Sequence, residues 1–220
     1  MLQATTLRFL NQLKKNNNKT WFDEHRKEYE TAKSDFYSLT EQLIKTIAVF
    51  DAPIGHLSAK ECLFRINRDV RFSKNKSPYK SNMAAYFNKA GKKGSGAGYY
   101  LHIEPGKSFA AGGIWMPEPA ILANIRQEID YSFDEWQKII GNADFKKTFT
   151  DSVKSSDSLI RPPKGYDENN RAIEFLKMKS FIVSKPFADK DILNKGFIAA
   201  VSKTCSTMKP VIDFLNTALL

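Results

Sequence analysis

The sequence predicts an α+β fold, with antiparallel strands in the middle of the chain packed against N-terminal and C-terminal helices. Apolar residues recur at helical spacing near both ends, and a two-residue alternation replaces that spacing in the middle. Glycine and proline separate the alternating segments, as they do in an antiparallel meander. Helices before and after a run of strands are typical of the α+β class.

We predict a single domain over residues 1–220, because a chain of 220 residues with 42% hydrophobic content can bury one ordinary core. No repeat and no long linker divides it. The expected parts, in chain order, are N-terminal helices over about 5–51, a β-meander over about 61–116 and a helical remainder over about 118–219.

Two helices are predicted before the strands. Leucines at helical spacing between residues 7 and 13 indicate a short first helix that Thr5 or Thr6 can cap. Apolar residues then recur every seven positions from Phe22 to Phe50, which indicates one amphipathic helix of about 30 residues. Thr20 is a plausible cap for this second helix.

The predicted strands follow from polar and apolar residues that alternate with a period of two. A basic loop separates the first two strands, glycines separate the second from the third, and the Pro105-Gly106 turn joins the last two. In chain order, the predicted strands span residues 63–72, 84–88, 99–104 and 108–115.

The chain after residue 117 is predicted to be mostly helical. Ser132 and Glu135 have the spacing of a capping box, which predicts the start of one helix. A short apolar run over 180–184 resembles a strand. Asp189 can cap a final helix, and Pro210 is expected to kink or interrupt it because proline lacks a donor and clashes with the preceding turn.

Positive charge is concentrated in residues 60–93. This segment holds ten lysines and arginines against one glutamate and one aspartate, a net +8 of the chain's +10. Neighbouring cations reinforce one another where they face a common cleft, so the segment is expected to attract an anion. Nucleic acid and a phosphate-bearing small molecule are the candidate partners, and a solvated surface is the plainer alternative.

One face of the predicted first strand carries Arg65, Asn67, Asp69 and Arg71. Two guanidinium groups there could grip a phosphodiester or a dicarboxylate, with Asp69 orienting one of them. The following loop adds cations, hydroxyls and a tyrosine that could stack on a base. The candidate ligand-binding residues are therefore Arg65, Asn67, Arg71, Lys76, Tyr79 and Lys80.

Arg68 falls on the opposite, core-facing side of that predicted strand. A guanidinium group in that position needs a carboxylate partner or a groove that leads to solvent. We therefore expect Arg68 to form a buried ion pair.

The third predicted strand carries Tyr100, His102 and Glu104 on one face. A histidine and a glutamate beside arginines could transfer protons on an anionic substrate. A cross-strand hydrogen-bonded pair without catalytic function explains the same residues. The candidate catalytic residues are His102, Glu104 and Asp69, and whether the protein is an enzyme is left open.

Several classes of site are not supported by the sequence. The three histidines are far apart, and Cys62 and Cys205 belong to no ligand-spaced pair, so we expect no metal and no cofactor. Both cysteines are expected to be buried free thiols. The glycines between residues 91 and 98 precede a strand and lack the Lys-Ser/Thr of a Walker loop.

The sequence lacks a conventional secretory signal at its N-terminus and any apolar run of the ~20 residues that cross a bilayer. We therefore expect a cytoplasmic protein without a membrane partner. The oligomeric state is left open.

The segment from Phe64 to Phe72, continued by Lys76 to Lys80, resembles the signature of a widespread family of uncharacterised bacterial and fungal proteins, catalogued only as a domain of unknown function. The resemblance extends over nearly the whole chain. Its further matches are Trp21-Phe22, Gly98-Tyr99-Tyr100, Gly112-Gly113 with Pro117, Leu122 with Ile125-Arg126, and Pro163-Lys164-Gly165-Tyr166. It implies a single-domain cytosolic protein without a stated activity, and it draws attention to Arg65, Asp69, Arg71 and Lys80 without giving them a role.

Three functions remain open from the sequence. The first is a binding module for an anionic, phosphate-bearing ligand or nucleic acid. The second is an enzyme that acts on a small phosphorylated or carboxylated substrate, with His102 and Glu104 as proton carriers. The third is a structural or protein-interaction domain.

Overall fold

The predicted α+β class is confirmed by the computed structural model, which describes residues 1–219. A four-stranded antiparallel sheet lies in the middle of the chain with the strand order β1-β2-β3-β4, and helices precede and follow it. The helices are α1 (Ala4–Lys15), α2 (Lys19–Glu24), α3 (Arg26–Ala48), α4 (Ala59–Cys62), α5 (Pro119–Tyr131), α6 (Phe133–Gly141), α7 (Ala143–Thr148), α8 (Ile173–Leu176), α9 (Asp189–Ile192) and α10 (Phe197–Thr217). The strands are β1 (Met83–Phe87), β2 (Gly98–Ile103), β3 (Ser108–Ile114) and β4 (Phe181–Phe187).

The chain divides into two compact units. Unit 1 comprises Met1–Lys93, Tyr100–Ala110 and Pro186–Lys203, and unit 2 comprises Gly94–Tyr99, Ala111–Lys185 and the segment that begins at Thr204. The organisation as one domain over residues 1–220 stays a prediction.

In unit 1, the first helix is present but its predicted cap is wrong. Gln3 occupies the N-cap position without a side-chain cap bond, and Thr6 is buried inside the first turn. The carboxylate of Asp35, on α3, accepts the Gln3 backbone N–H at 2.8 Å and the Thr6 hydroxyl at 2.6 Å. A side chain distant in sequence thus satisfies donors that a local cap would otherwise take.

The single helix predicted from residue 22 to residue 50 is divided into α2 and α3 at His25. The His25 ring stacks on the Trp21 ring at 4.0 Å, and its Nδ1 lies 2.8 Å from the Trp21 carbonyl oxygen. The cap of α2 is Asn18, whose side chain accepts the Trp21 N–H, so the prediction of Thr20 is also wrong. The apolar stripe itself is confirmed by the buried side chains of α3.

The strand predicted over 63–72 is wrong in its second half and irregular in its first. Residues 63 to 68 lie antiparallel to residues 78 to 85, but only as isolated bridges at Leu63↔Ala85 and Asn67↔Tyr79. The register slips between these bridges, which interrupts a continuous ladder. The chain turns after Arg68, and Phe72, expected on the core side, is 97% exposed.

The other strand predictions are confirmed within one to three residues by β1, β2, β3 and β4. In unit 2, the close approach expected at Gly112 and Gly113 is also confirmed. A Cβ atom built on Gly112 would lie 2.1 Å from the Met208 sulfur, and one built on Gly113 would lie 1.9 Å from the Phe181 carbonyl oxygen. No side chain fits at either glycine without displacement of its neighbours.

The predictions about the later helices have mixed outcomes. Helix α6 begins where the capping-box spacing places it, with Ser132 at the N-cap position, but the Ser132 side chain makes no cap bond and its hydroxyl instead donates to Glu128 of α5 at 2.8 Å. Asp189 begins the four-residue helix α9 and not the final helix, so that prediction is wrong. Helix α10 continues past Pro210 to Thr217, so the proline does not interrupt it, and a kink there stays a prediction.

Both cysteines are buried free thiols, as predicted. No helix in the described residues combines the length and the apolar character that a membrane span requires. Among residues 1–219, no three His, Cys, Asp or Glu side chains are grouped as metal ligands.

Candidate functional site

The basic loop over residues 69–77 of unit 1 uses one of its cations in a local ion pair. The Arg71 guanidinium group donates to Asp69 through Nε at 3.0 Å and through Nη2 at 2.7 Å. These hydrogen bonds lower the pKa of Asp69 and raise the pKa of Arg71. Both side chains are largely exposed, so the pair adds little stability.

Arg68 and Lys76 donate to the same loop. Arg68 donates through Nη1 to the Ser77 carbonyl at 3.0 Å, and Lys76 donates through Nζ to the Val70 carbonyl at 3.0 Å. The ion pair predicted for Arg68 is therefore wrong, because a backbone carbonyl and the Ser73 hydroxyl take its protons. Arg68, Arg71 and Lys76 thus bind groups within residues 69–77.

Tyr79 and Asn67 face each other across an isolated bridge. Tyr79 is buried, and its ring stacks on the Phe22 ring with centroids 3.9 Å apart. The side chain of Asn17 also binds both backbone groups of Tyr79, at 3.0 Å and 2.9 Å. Tyr79 therefore contributes to the core of unit 1, and its ring is not available to stack on a ligand.

Arg65 and Lys80 are among the cations of the basic segment that form no ion pair within the residues that the structure describes, and Lys80 is the half-buried one of the two. Arg65 acts on Asp69 only at longer range, where its charge adds to the lowering of the Asp69 pKa that the Arg71 hydrogen bonds cause. The half-buried Lys80 ammonium group lies over the Phe64 ring, 5.4 Å from its centroid. Burial lowers the pKa of Lys80, and the positive charge of Arg65 lowers it further. The positive charges of Lys80 and Arg65 thus repel each other where the Lys80 side chain is partly shielded from water.

The polar face of β2 joins Tyr100, His102 and Glu104 in one hydrogen-bonded network. Alternation along the strand buries Leu101 and Ile103 and turns these three side chains to the other face. His102 Nε2 lies 3.3 Å from Glu104 Oε2, and His102 Nδ1 lies 3.1 Å from the Tyr100 hydroxyl. His102 and Glu104 therefore pair along one segment and not across two strands, and Tyr100 joins the pair.

Neighbouring segments hold this network in place. The Ser81 hydroxyl donates to Glu104 Oε1 at 3.2 Å, and the Lys14 ammonium group of α1 lies 3.4 Å from the same oxygen. Asn82 Nδ2 lies 3.4 Å from His102 Nδ1. The His102 ring also stacks on the Phe109 ring at 4.8 Å, with 13° between their planes. Contacts from α1, β3 and the segment before β1 therefore fix one orientation of the imidazole.

The environment sets the protonation state of each member. Burial lowers the pKa of His102, although Glu104 opposes this effect. Burial alone would raise the pKa of Glu104, but hydrogen bonds from His102, Ser81 and Lys14 outweigh it and lower the pKa. Burial raises the pKa of Tyr100 to about 12. At neutral pH, His102 is therefore neutral, Glu104 is ionised and Tyr100 keeps its proton.

The Phe64 ring contacts both the network and Lys80. The Phe64 ring packs edge-on against the Tyr100 ring at 6.2 Å, and the Lys80 ammonium group lies over the Phe64 ring. Phe64 is 40% exposed, so this position is open to solvent. Lys80 and Tyr100 thus contact the same ring. Asp69, by contrast, makes its hydrogen bonds to Arg71 and not to His102.

Sequence reasoning identified His102, Glu104, Arg65 and Lys80 but did not select Tyr100. The alternation along β2 was a sufficient signal, because it places Tyr100 on the face of His102. No local pattern signals the other members of the network, because tertiary contacts bring them to it. These members are Lys14, Ser81, Asn82 and Phe109.

We expect His102 to titrate below the usual histidine range, and the Glu104→Gln variant to lower its pKa further by removing the carboxylate that favours the imidazolium. Because the folded state disfavours the charged imidazole, this residue should destabilise the fold as the pH falls through and below the usual histidine range. NMR titration of the imidazole signals measures the His102 pKa in the unmodified protein and in Glu104→Gln, and the His102→Gln variant assigns the His102 signal. A His102 pKa that rises in Glu104→Gln would contradict the contact.

A protein-family model described as "Conserved hypothetical protein (DUF2461)" matches residues 5–214 of the chain. No curated protein matches the chain, and no solved structure matches it either.

Proposed function

The chain belongs to the DUF2461 family of conserved hypothetical proteins, and for this member we propose that Arg65 and Lys80 bind a small anion that carries a phosphate or a carboxylate. The observation that carries the proposal is the half-buried Lys80 ammonium group, which has a second cation and no carboxylate as its charged neighbour.

A desolvated cation beside a like charge is unfavourable unless a counter-ion joins it. An anion with two or more oxygens could accept the planar fork of Arg65 and the point charge of Lys80 together. The solvent exposure of Arg65 and Phe64 keeps the position accessible to such a ligand.

A small anion is better supported than a nucleic acid. The loop cations Arg68, Arg71 and Lys76 already donate to Asp69 or to loop oxygens. The Tyr79 ring, which was a candidate for base stacking, packs on Phe22. Polymer binding through this segment would need both the loop charges and an exposed aromatic surface.

Calorimetric titration with inorganic phosphate, phosphoglycolate and succinate tests the proposal, with a 20-nucleotide single-stranded DNA as the polymer alternative. We expect one of the small anions to bind, and Lys80→Met and Arg65→Gln each to weaken that binding about tenfold by removing one charged hydrogen bond. Lys74→Gln removes an equal charge from the exposed loop and is the matched control.

If Lys74→Gln weakens binding as much as Lys80→Met, the affinity comes from general positive potential and the local site is wrong. Tight DNA binding with no uptake of small anions would instead favour the nucleic-acid alternative.

Catalysis on the bound anion is the second candidate function. Its support is the network of Tyr100, His102 and Glu104, which reaches the same position through the contact of Tyr100 with Phe64.

A further inference from the structure

We propose that Glu104, His102 and Tyr100 form a proton relay, in which the phenol oxygen of Tyr100 takes a proton from the anion held by Arg65 and Lys80. This inference rests on the proposed function, since the bound anion is its substrate. Tyr100 is the proton-transfer residue because its hydroxyl ends the network, whereas His102 and Glu104 act through it.

The hydrogen bonds give the relay a direction. The ionised Glu104 carboxylate can only accept, so the proton of the neutral imidazole lies on His102 Nε2. His102 Nδ1 then carries a lone pair that accepts the Tyr100 O–H at 3.1 Å. The neighbouring Asn82 Nδ2 can only donate, which is consistent with His102 Nδ1 as an acceptor. A carboxylate, an imidazole and a hydroxyl in this order have the arrangement by which other enzymes activate a hydroxyl group.

The protonation states at neutral pH suit a relay that acts as a base. His102 is neutral and can accept a proton, and Glu104 is ionised and can stabilise the resulting imidazolium. An isolated phenol with a pKa of about 12 would be a poor nucleophile, so removal of its proton by His102 is what would make Tyr100 reactive.

The proposed step conserves atoms and charge. An O–H or acidic C–H bond of the ligand breaks, and its electron pair stays on the ligand. The released proton bonds to the Tyr100 oxygen as the original phenol proton moves to His102 Nδ1. The ligand gains one negative charge and the imidazole gains one positive charge. Lys80 and Arg65 stabilise the former, and Glu104 stabilises the latter.

This step defines the substrate class. The substrate is a small organic anion whose phosphate or carboxylate binds the two cations and which carries a hydroxyl or an activated C–H group about one ring width away. Phe64 supplies that spacing, because the Lys80 ammonium group lies over its ring and the Tyr100 ring packs on the same ring at 63° between the planes. The partly exposed Phe64 ring also offers an apolar surface to the carbon frame of the ligand.

Few charges bear on the titration of His102. Glu104 is its charged hydrogen-bond partner, and Tyr100 is the other titratable group in direct contact with it. Lys14 of α1 acts on it only through Glu104. The segment before β1 contributes the uncharged Asn82, and β3 contributes Phe109. His102 and Glu104 are only 15% and 16% exposed, which protects these interactions from screening.

A tyrosine-reactive reagent tests the relay without knowledge of the substrate. The reagent 4-(fluorosulfonyl)benzoate carries a carboxylate for the cation site and a sulfonyl fluoride for the phenol. The Tyr100 oxygen attacks sulfur, the S–F bond breaks, fluoride leaves, and the phenol proton moves to His102. Mass spectrometry of proteolytic peptides then gives the labelling rate of each tyrosine in the full chain.

We expect Tyr100 to react at least about tenfold faster than Tyr131, which is 90% exposed and serves as the ordinary phenol. His102→Gln should slow the labelling of Tyr100 about 100-fold, and Glu104→Gln should slow it about tenfold. The rate for Tyr100 should fall as the pH falls through the His102 pKa measured by NMR, and the rate for Tyr131 should show no step there. Circular dichroism confirms that each variant is folded.

The relay is overturned if Tyr100 reacts no faster than Tyr131, or if its rate is the same in folded His102→Gln or Glu104→Gln. A neutral analogue, benzenesulfonyl fluoride, separates this failure from failure of the anion site. If Lys80→Met slows the two reagents equally while the His102 dependence persists, the anion site is wrong and the activated tyrosine stands. Selective loss of labelling by the carboxylate reagent in Lys80→Met supports both.

Discussion

Replacement of Gly113 by alanine is expected to destabilise the protein by about 3 kcal/mol or more. Gly113 lies in β3 with a φ of +122°, a backbone conformation that strains any residue with a Cβ atom. The added Cβ would also lie 1.9 Å from the Phe181 carbonyl oxygen and 3.3 Å from the Ile182 Cα, so backbone atoms would have to move. Strain and overpacking therefore act together.

Alanine variants of two other glycines distinguish backbone strain from overpacking. Gly106 has a φ of +74° with open space around its Cβ position, so Gly106→Ala should show backbone strain alone, about 1 kcal/mol. Gly141, in α6, has open space and ordinary dihedrals, so Gly141→Ala should be neutral or slightly stabilising. Urea unfolding of the three variants gives the free energies, and a Gly113→Ala value no larger than that of Gly106→Ala would contradict the close approach.

Trp136→Ala is expected to destabilise the protein by about 3–5 kcal/mol. Trp136 is fully buried in unit 2, where its ring lies 5.6 Å from Phe175, 6.4 Å from Phe181 and 5.0 Å from Phe214. Removing the indole would leave a cavity among three aromatic rings, and Phe175 and Phe181 would lose their edge-to-face contacts with it. Chemical denaturation followed by circular dichroism measures the loss.

Trp136→Phe is the informative companion variant. Within the described residues the buried indole N–H has no hydrogen-bond partner, so its removal takes away an unsatisfied donor and offsets part of the lost packing. We therefore expect Trp136→Phe to cost less than half as much as the alanine variant. Tyr131→Ala, at a position 90% exposed, should change stability by less than about 0.5 kcal/mol. A small effect of Trp136→Ala, similar to that of Tyr131→Ala, would show that the core of unit 2 is packed differently.

Four of the five predicted strand segments were confirmed, and the one over 63–72 was not. Alternation along β2 and the Pro105-Gly106 turn fix both the strand and the face of each side chain, and the Glu104 and Ser108 backbone and side-chain bonds close that turn. Such features depend on neighbours within a few residues, which the sequence displays directly.

Helix caps and breaks were predictable to a lesser extent. Thr5, Thr6 and Thr20 have the right chemistry for a cap, but none of them occupies an N-cap position. Ser132 occupies the N-cap position of α6 without a side-chain cap bond. At α1 the carboxylate of Asp35 takes the role, from 29 residues beyond Thr6. The break at His25 likewise depends on the packing of its ring on Trp21. A period of seven residues cannot report either contact.

The candidate site likewise has features that the sequence predicted and features that it did not. The sequence placed positive charge in residues 60–93 and put His102 and Glu104 on one strand face. It could not tell which cations the loop would neutralise, since the Lys76 ammonium group reaches the Val70 carbonyl only because the chain bends at residues 71 and 72.

The sequence by itself determined the α+β class, the period of each regular element, the excess of positive charge and the alignment of Tyr100, His102 and Glu104. These properties follow from spacing along the backbone, which is the same in any context. Tertiary structure alone decided that Lys80 is half-buried beside Arg65 without an ion pair in the described residues, that Tyr79 is buried, and that Lys14 and Ser81 reach Glu104. Hydrogen bonds and burial depend on distances between segments that are remote in the chain, and those distances exist only once the chain has folded.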